Sequence, residues 1–537
     1  MENMNSFIKV NTIGAGANGA RTENGAVSYA SAGSALLDQF AHAGTARGRD
    51  FNTVWTEQAT LWGENPVNAL RFPFYLRMIT RQSNIIGGDK TEKVQKGQGA
   101  KDESFKRLLW IARYHADEFY RNLWLLPVVG SWKDLWVLLS MDDSLDKEKF
   151  FDVIALGIND DNHRDLVKKY MPRIRSNKLC TTDWAKSTNQ LAKEFAKYVG
   201  WSMKDYREFK STGKAHEFQR TICARNYSNI KWNTIPGKAL LNLVNGKFLT
   251  NHNLKNSYIK WLMEQPVAKF YGFPFELAMK LPSYGEVTDV TKITIDKQFK
   301  NLIETASKND GAINGNVLCA IDTSGSMTCH IDGGPNGLTS FDVCVSLGIY
   351  FSELNKGAFH NVVAMFDDTS TLMTLKGDSF VDKWFQIKNS KIAWGSTNYQ
   401  SLIDLICKTR IKHPEMSLED FPQTLLVVSD MQFNSCGGRT NYETMMAKLR
   451  RYFPSEWVDE FKVVWWYCAG RSGASKDVPA TMEHGGQYLV SGFDGSVISL
   501  ILSGEVKVDP NTGKKVQPTM EEVVQDALTQ EVLLLVQ

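Results

Sequence analysis

Asp322, Ser324 and Ser326 stand at alternate positions in Leu318-Cys-Ala-Ile-Asp-Thr-Ser-Gly-Ser-Met327. One carboxylate and two hydroxyls spaced in this way make a hard, oxygen-only donor set. Such a set suits Mg²⁺ or Mn²⁺, which keep several waters and take one or two carboxylates. Gly325 between the serines lets the loop turn back so that both hydroxyls face one point. Alone, Asp-x-Ser-x-Ser is also ordinary turn chemistry. Two further polar tips strengthen it. Gly395-Ser-Thr397-Asn398 precedes a helical run over 399–408, and Asp430 follows the apolar run Thr424-Leu-Leu-Val-Val-Ser429. The competing reading of the same residues is a nucleotide-type α/β domain with polar strand ends and no metal.

These tips need elements to position them. Apolar runs predict buried strands over 316–321, 361–366, 424–429 and 461–467, with a last strand and its exit turn over 488–494. The second run ends in Asp367-Asp368. Ligands of open α/β sheets collect at the carboxyl ends of strands, which is where Asp322, Thr397 and Asp430 fall. A closing helix is expected over 496–502. Beyond it come a hairpin over 505–516 and a final amphipathic helix over 519–535, with Thr519 and Glu522 as a capping box.

This order of strands and tips resembles the von Willebrand factor A domain with its metal-ion-dependent adhesion site, over roughly residues 313–505. The resemblance implies that Ser324 and Ser326 ligate the metal directly, that Thr397 is the second-loop ligand, and that Asp322 and Asp430 act directly or through water. It leaves one coordination position open for a partner's carboxylate or phosphate. The Gly-rich insertion from Cys329 to Gly337 departs from the family pattern beside that position.

The chain has 537 residues, 43% of them hydrophobic, and a net charge of +3. That length exceeds one core and predicts two or three domains. The eight cysteines include no C-x-x-C pair; Cys319, Cys344, Cys407 and Cys468 lie in apolar runs as small core residues. A reducing, cytoplasmic setting and a soluble protein are expected, since no apolar run reaches the ~20 residues of a membrane helix. No phosphate-binding Walker loop, nucleophile elbow or H-E-x-x-H pair occurs. None of the nine histidines is assigned a role.

Residues 1–21 read as a loose Gly/Ala/Asn-rich arm, with Ser34 placed to cap the first helix. Over 22–310 short helical patterns follow one another with little strand signal, the pattern of an α-solenoid. One helix starts at Pro66, and Pro73 is expected to kink or divide it. Residues 82–90 read as an enlarged polar loop. Between Arg164 and Lys280 basic residues far outnumber acids, among them Arg173, Arg175, Lys178, Arg207, Lys210, Arg220 and Arg225. Tyr170, Trp184, Phe195, Trp201, Tyr206, Phe218, Tyr227 and Trp232 are interleaved with them. Basic side chains attract phosphates and aromatic faces stack on unpaired bases; the plainer alternative is a solvated basic surface with the aromatics packed inside.

A helical half followed by an adhesion-site domain is the layout of the Ro autoantigen family of TROVE-domain ring proteins. The phrases Phe74-Tyr-Leu-Arg77, Pro127-Val-Val-Gly-Ser-Trp-Lys-Asp-Leu135, Tyr227-Ser-Asn-Ile-Lys-Trp232 and Ser429-Asp-Met-Gln-Phe433 look closer still to an uncharacterised TROVE/von Willebrand A-like family. The expected architecture is α + α/β: a HEAT-like helical domain, an adhesion-site domain over 313–505, and a hairpin and helix over 506–537. The resemblance implies a ring that binds single-stranded or misfolded RNA without catalysing a reaction. Arg77 and Arg81 then either face the ring's hole or pair with acids between repeats. A second hypothesis is a protein-interaction scaffold whose open metal position takes a partner's carboxylate. A metal-dependent phosphoesterase lacks the second-metal cluster and the matched acid/base pair it would need.

Overall fold

The computed structural model describes residues 19–213, 217–244, 246–282, 286–310, 313, 316–390, 392–470, 477–502, 507–508 and 515–537. They fall into two compact units that are discontinuous along the chain. One comprises the described residues of Met1–Arg49 and Val267–Ala527, the other Asp50–Pro266 and Leu528–Gln537. This division differs from the expected 310/313 boundary. Residues 22–49 and the long helix Asp289–Asp310 belong with the sheet.

The sheet unit is built on six strands in the order Gln487–Ser491, Lys462–Tyr467, Thr424–Ser429, Val317–Asp322, Val362–Phe366, Ser370–Thr374. All neighbours are parallel except the last pair. The central strands Val317–Asp322 and Thr424–Ser429 are buried along their whole length. A parallel strand covered on both faces must be apolar throughout rather than alternating, which explains their unbroken runs. The edge strand Ser370–Thr374 has no buried residue, so it left no comparable apolar signal. Helix Ser340–Leu354 is almost wholly buried, and a Cβ at Gly348 would lie 2.5 Å from Ile321 Cγ2. Helix and central strand therefore touch backbone to side chain at that point.

The N-terminal arm is not loose over 19–21. Gly19–Arg21 pairs antiparallel with Val27–Tyr29, while residues 1–18 lie outside the described residues. Ser34 caps helix Ala35–His42 as expected. The expected C-terminal hairpin is present as Lys507–Val508 paired with Lys515–Val516; its tip, 509–514, lies outside the described residues. The final helix is shorter than expected, Met520–Leu528, with Thr519 and Glu522 exchanging the capping bonds.

The second unit is a succession of short helices, among them Phe51–Glu64, Pro66–Arg77, Lys101–Tyr114, Trp132–Met141, Lys147–Asn159, Asp183–Tyr198 and Met203–Ser211. Pro73 does not divide Pro66–Arg77. It has no N–H to give to the Ala69 carbonyl, and the buried Gln58 supplies that bond through Nε2 at 2.9 Å. The stretch expected as a polar loop is a hairpin, Arg81–Asn84 with Lys90–Gln95. Arg77 pairs with the buried Asp134 at 2.6 Å, and Arg81 donates to the carbonyls of Val128 and Gly130. The chain's last residues complete this unit: Gln530 bonds Lys96, and Gln537 bonds Asn122 through both backbone groups. All eight cysteines are free thiols. Among the described residues no helix is long and apolar enough to cross a membrane.

Candidate functional site

Asp322 ends its strand fully buried, with its side chain tied from two loops. Its Oδ1 accepts the Ser324 N–H at 2.9 Å, and its Oδ2 accepts the Ser429 hydroxyl at 2.5 Å. The Ser324 and Ser326 hydroxyls lie 3.2 Å apart. Gly325 donates its N–H to the Gly395 carbonyl at 3.0 Å, which fastens the first loop to the second. A Cβ at Gly325 would sit 3.1 Å from the Trp394 carbonyl. A side chain here would press on the second loop.

The two aspartates after Val362–Phe366 hold the second loop. Asp367 accepts the Ala393 N–H through Oδ2 and the Asn398 N–H through its carbonyl. Asp368 accepts the Ser396 N–H and hydroxyl, and these bonds hold its carboxyl below the usual carboxylate range. Trp394 at φ 54 makes the bend. Thr397 is thereby delivered buried, with its carbonyl accepting the Asn434 N–H at 2.9 Å. In the third loop Asp430 is buried and accepts the Gln432 N–H at 3.1 Å. Met431 follows at φ 61, a left-handed conformation that a non-glycine residue adopts only where its surroundings over-determine it. The Ser429 hydroxyl accepts the Met431 N–H while donating to Asp322, so one side chain links the first and third loops.

Burial pushes the Asp322 carboxyl up to about 7, and the neighbouring Asp430 carboxylate pushes in the same direction. The hydrogen bonds from Ser324 and Ser429 oppose this and do not cancel it. A divalent cation between the two carboxylates would relieve both penalties. The donor set of two carboxylates and three hydroxyls fits a hard ion of the Mg²⁺ or Mn²⁺ kind. Among the described residues no group of three or more His, Cys, Asp or Glu is placed to hold a metal.

The turn of the N-terminal hairpin lies on these loops. Thr22 donates its hydroxyl to the Phe433 carbonyl at 2.6 Å, and the Glu23 N–H reaches Gln432 Oε1 at 2.7 Å. Asn24 Nδ2 reaches the Gln432 carbonyl at 2.6 Å and Thr397 Oγ1 at 3.5 Å. None of Asn24, Gln432 and Asn434 was given a site role from sequence. The Asn24-Gly25 dipeptide is a hairpin signal, but nothing local to it points at residues some 400 positions away.

The basic residues of the helical unit divide into two groups. Arg173, Arg175, Arg207, Lys210 and Arg220 line one cavity of about 400 Å³, whereas Lys178 and Arg225 are not among its lining residues. Lys178 lies in the 3₁₀ turn Asn177–Leu179, and Arg225 sits at φ 53 after helix Glu217–Cys223. Most of the interleaved aromatics serve packing: Phe195, Tyr206 and Trp232 are buried, and Tyr227 stacks on His252 at 4.1 Å. Trp184 is exposed beside Lys133.

Fold and site together define an α/β unit with a carboxylate–hydroxyl cluster at the carboxyl ends of the parallel strands of a mixed sheet, in one chain with a unit of short helices. Residues 316–532 match the model of a domain of unknown function, DUF7788. That span holds the whole sheet and all three site loops, and it excludes the hairpin turn that carries Asn24. The chain is also similar to Uncharacterized protein L728 of Acanthamoeba polyphaga mimivirus, with 23% identity over 533 residues covering 91% of this chain and 85% of that protein.

Proposed function

We propose that this chain is a non-catalytic, cytoplasmic RNA-binding protein of the Ro-like kind, with a divalent-cation adhesion site of the von Willebrand A type in its sheet unit. The observation that carries the RNA reading is the convergence of five cationic side chains, from three separate segments, on one cavity of the helical unit. Attraction of this kind serves any single-stranded RNA, because phosphate contacts carry no sequence. The metal, Mg²⁺ or Mn²⁺, would be held by Asp322, Ser324, Ser326, Thr397 and Asp430. It would offer an open position to a carboxylate or phosphate.

Salt dependence tests the RNA reading. Each phosphate neutralised on a single strand adds about −0.7 to the log–log slope, so affinity should fall steadily as salt rises from about 50 to about 200 mM. Crosslinking and sequencing of bound RNA should recover RNA from the native chain and much less from an Arg173→Glu/Arg175→Glu/Lys178→Glu variant. Equal recovery from both would reject the reading.

A second reading rests on the metal loops: a protein-interaction scaffold in which the open position takes a partner's carboxylate. It predicts a protein partner lost on chelation or in Asp322→Ala, with a shallow salt dependence.

A further inference from the structure

The basic cavity has properties beyond general attraction to a phosphate backbone. Its walls come from the Arg173–Arg175 segment, from helix Met203–Ser211 through Arg207 and Lys210, and from helix Glu217–Cys223 through Arg220. No aspartate or glutamate among the described residues lines it. Among the described residues none of the five cations makes an ion pair. The polar bonds their side chains do make go to carbonyls: Lys210 Nζ to Lys168 at 2.9 Å, and Arg220 Nη1 to Ser211 at 2.7 Å. Burial pushes the Lys210 ammonium down to about 8, and Arg173 adds to the effect. The fold thus holds like charges together without an internal counter-charge.

Ile174 and Tyr206 complete the lining, both buried, and the Tyr206 hydroxyl is turned to the Pro172 carbonyl at 2.8 Å. A ligand that fits must therefore be strongly anionic. The volume is that of a small-molecule site, too small for a duplex. A phosphate monoester carries a charge of about −1.5 to −2, against −1 for an internal diester, and so answers the cluster better.

We propose that this cavity binds the phosphorylated terminal nucleotide of a single-stranded RNA, with the monoester on the arginines. The proposal rests on the RNA-binding reading and adds the class of end that is recognised. A free nucleoside monophosphate presents the same chemistry, and the test separates the two sources.

The experiment uses the full chain and one short single-stranded RNA made in four forms: hydroxyl or phosphate at the 5′ end, and hydroxyl or phosphate at the 3′ end. Binding is read by fluorescence anisotropy at fixed salt, with nucleoside monophosphate as competitor. A phosphate at one of the two ends should strengthen binding by about tenfold or more, and the monophosphate should compete. The gain should vanish in Arg173→Glu/Arg207→Glu and persist in Arg121→Glu/Lys149→Glu, which changes the charge equally at exposed positions outside the cavity. Thermal melts confirm folding, and Arg207→Gln gives a milder second variant. If all four RNAs bind equally well in a salt-dependent way, the end-recognition proposal is overturned and the RNA reading stands. If the monophosphate binds and RNA does not, the RNA reading and the proposal both fall, leaving a nucleotide site. If the gain survives in Arg173→Glu/Arg207→Glu, the assignment to this cavity is wrong.

Discussion

Gln58 shows how one side chain allows a proline inside a helix. Its Nε2 donates to the carbonyl that Pro73 leaves without a partner, in an environment closed to water. Gln58→Leu keeps the volume and removes the donor, so chemical denaturation should show a loss of about 1–3 kcal/mol, the usual penalty of a buried group left unsatisfied. His163 makes a pH-dependent counterpart. Its Nδ1 accepts the Trp132 indole N–H at 3.1 Å, and burial holds its pKa below the ordinary 6.5, with Asp160 working against that shift. A lowered histidine pKa means that the unfolded chain binds the proton first as pH falls. Stability should therefore be full above pH 6.5 and decline as pH drops through the folded value. Melting curves over that window check this, and His163→Gln should flatten the decline. Of the candidate site residues, Asp322 and Asp430 stand out because each comes at the abrupt end of an apolar run, and Ser324 and Ser326 because they alternate after Asp322. Ser429 was legible only as the last residue of its strand. Its role, donating to Asp322 while accepting from Met431, depends on two strands becoming neighbours.

Elements explain why some of the fold could be read and some could not. The parallel strands announce themselves because burial on both faces demands unbroken apolar runs. The hairpin Gly19–Arg21 with Val27–Tyr29 does not, since three-residue strands carry little pattern and its anchors lie on the far side of the sequence. Once folded, it lays Asn24 against Thr397 and the third-loop backbone. Asn24→Ala should leave the sheet intact and loosen this cover, so hydrogen exchange should rise over 22–26 and 432–434 with little change in melting temperature. Helix packing gives a stronger expectation at Gly157, where a Cβ would lie 2.1 Å from the Trp132 ring. Gly157→Ala should destabilise the helical unit by about 1–3 kcal/mol, as overpacking does.

At the scale of the whole chain, the two units are each assembled from separated stretches of sequence. Helical periodicity over 267–310 resembles that over 51–266, and periodicity says only that a helix buries a face, not which core receives it. The expected boundary was displaced for that reason. The coarse α + α/β layout was legible because unbroken apolar strands are confined to the C-terminal half. What the layout means for function depends most on the three polar loops of the sheet unit. Manganese binding to the full chain, followed by the electron paramagnetic resonance signal of the free ion, tests them directly. The account predicts one saturable site per chain, competed by Mg²⁺ and lost in Ser324→Ala/Ser326→Ala while the melting curve keeps its shape. No stoichiometric site in the native chain, or the same site undiminished in the double variant, would contradict it.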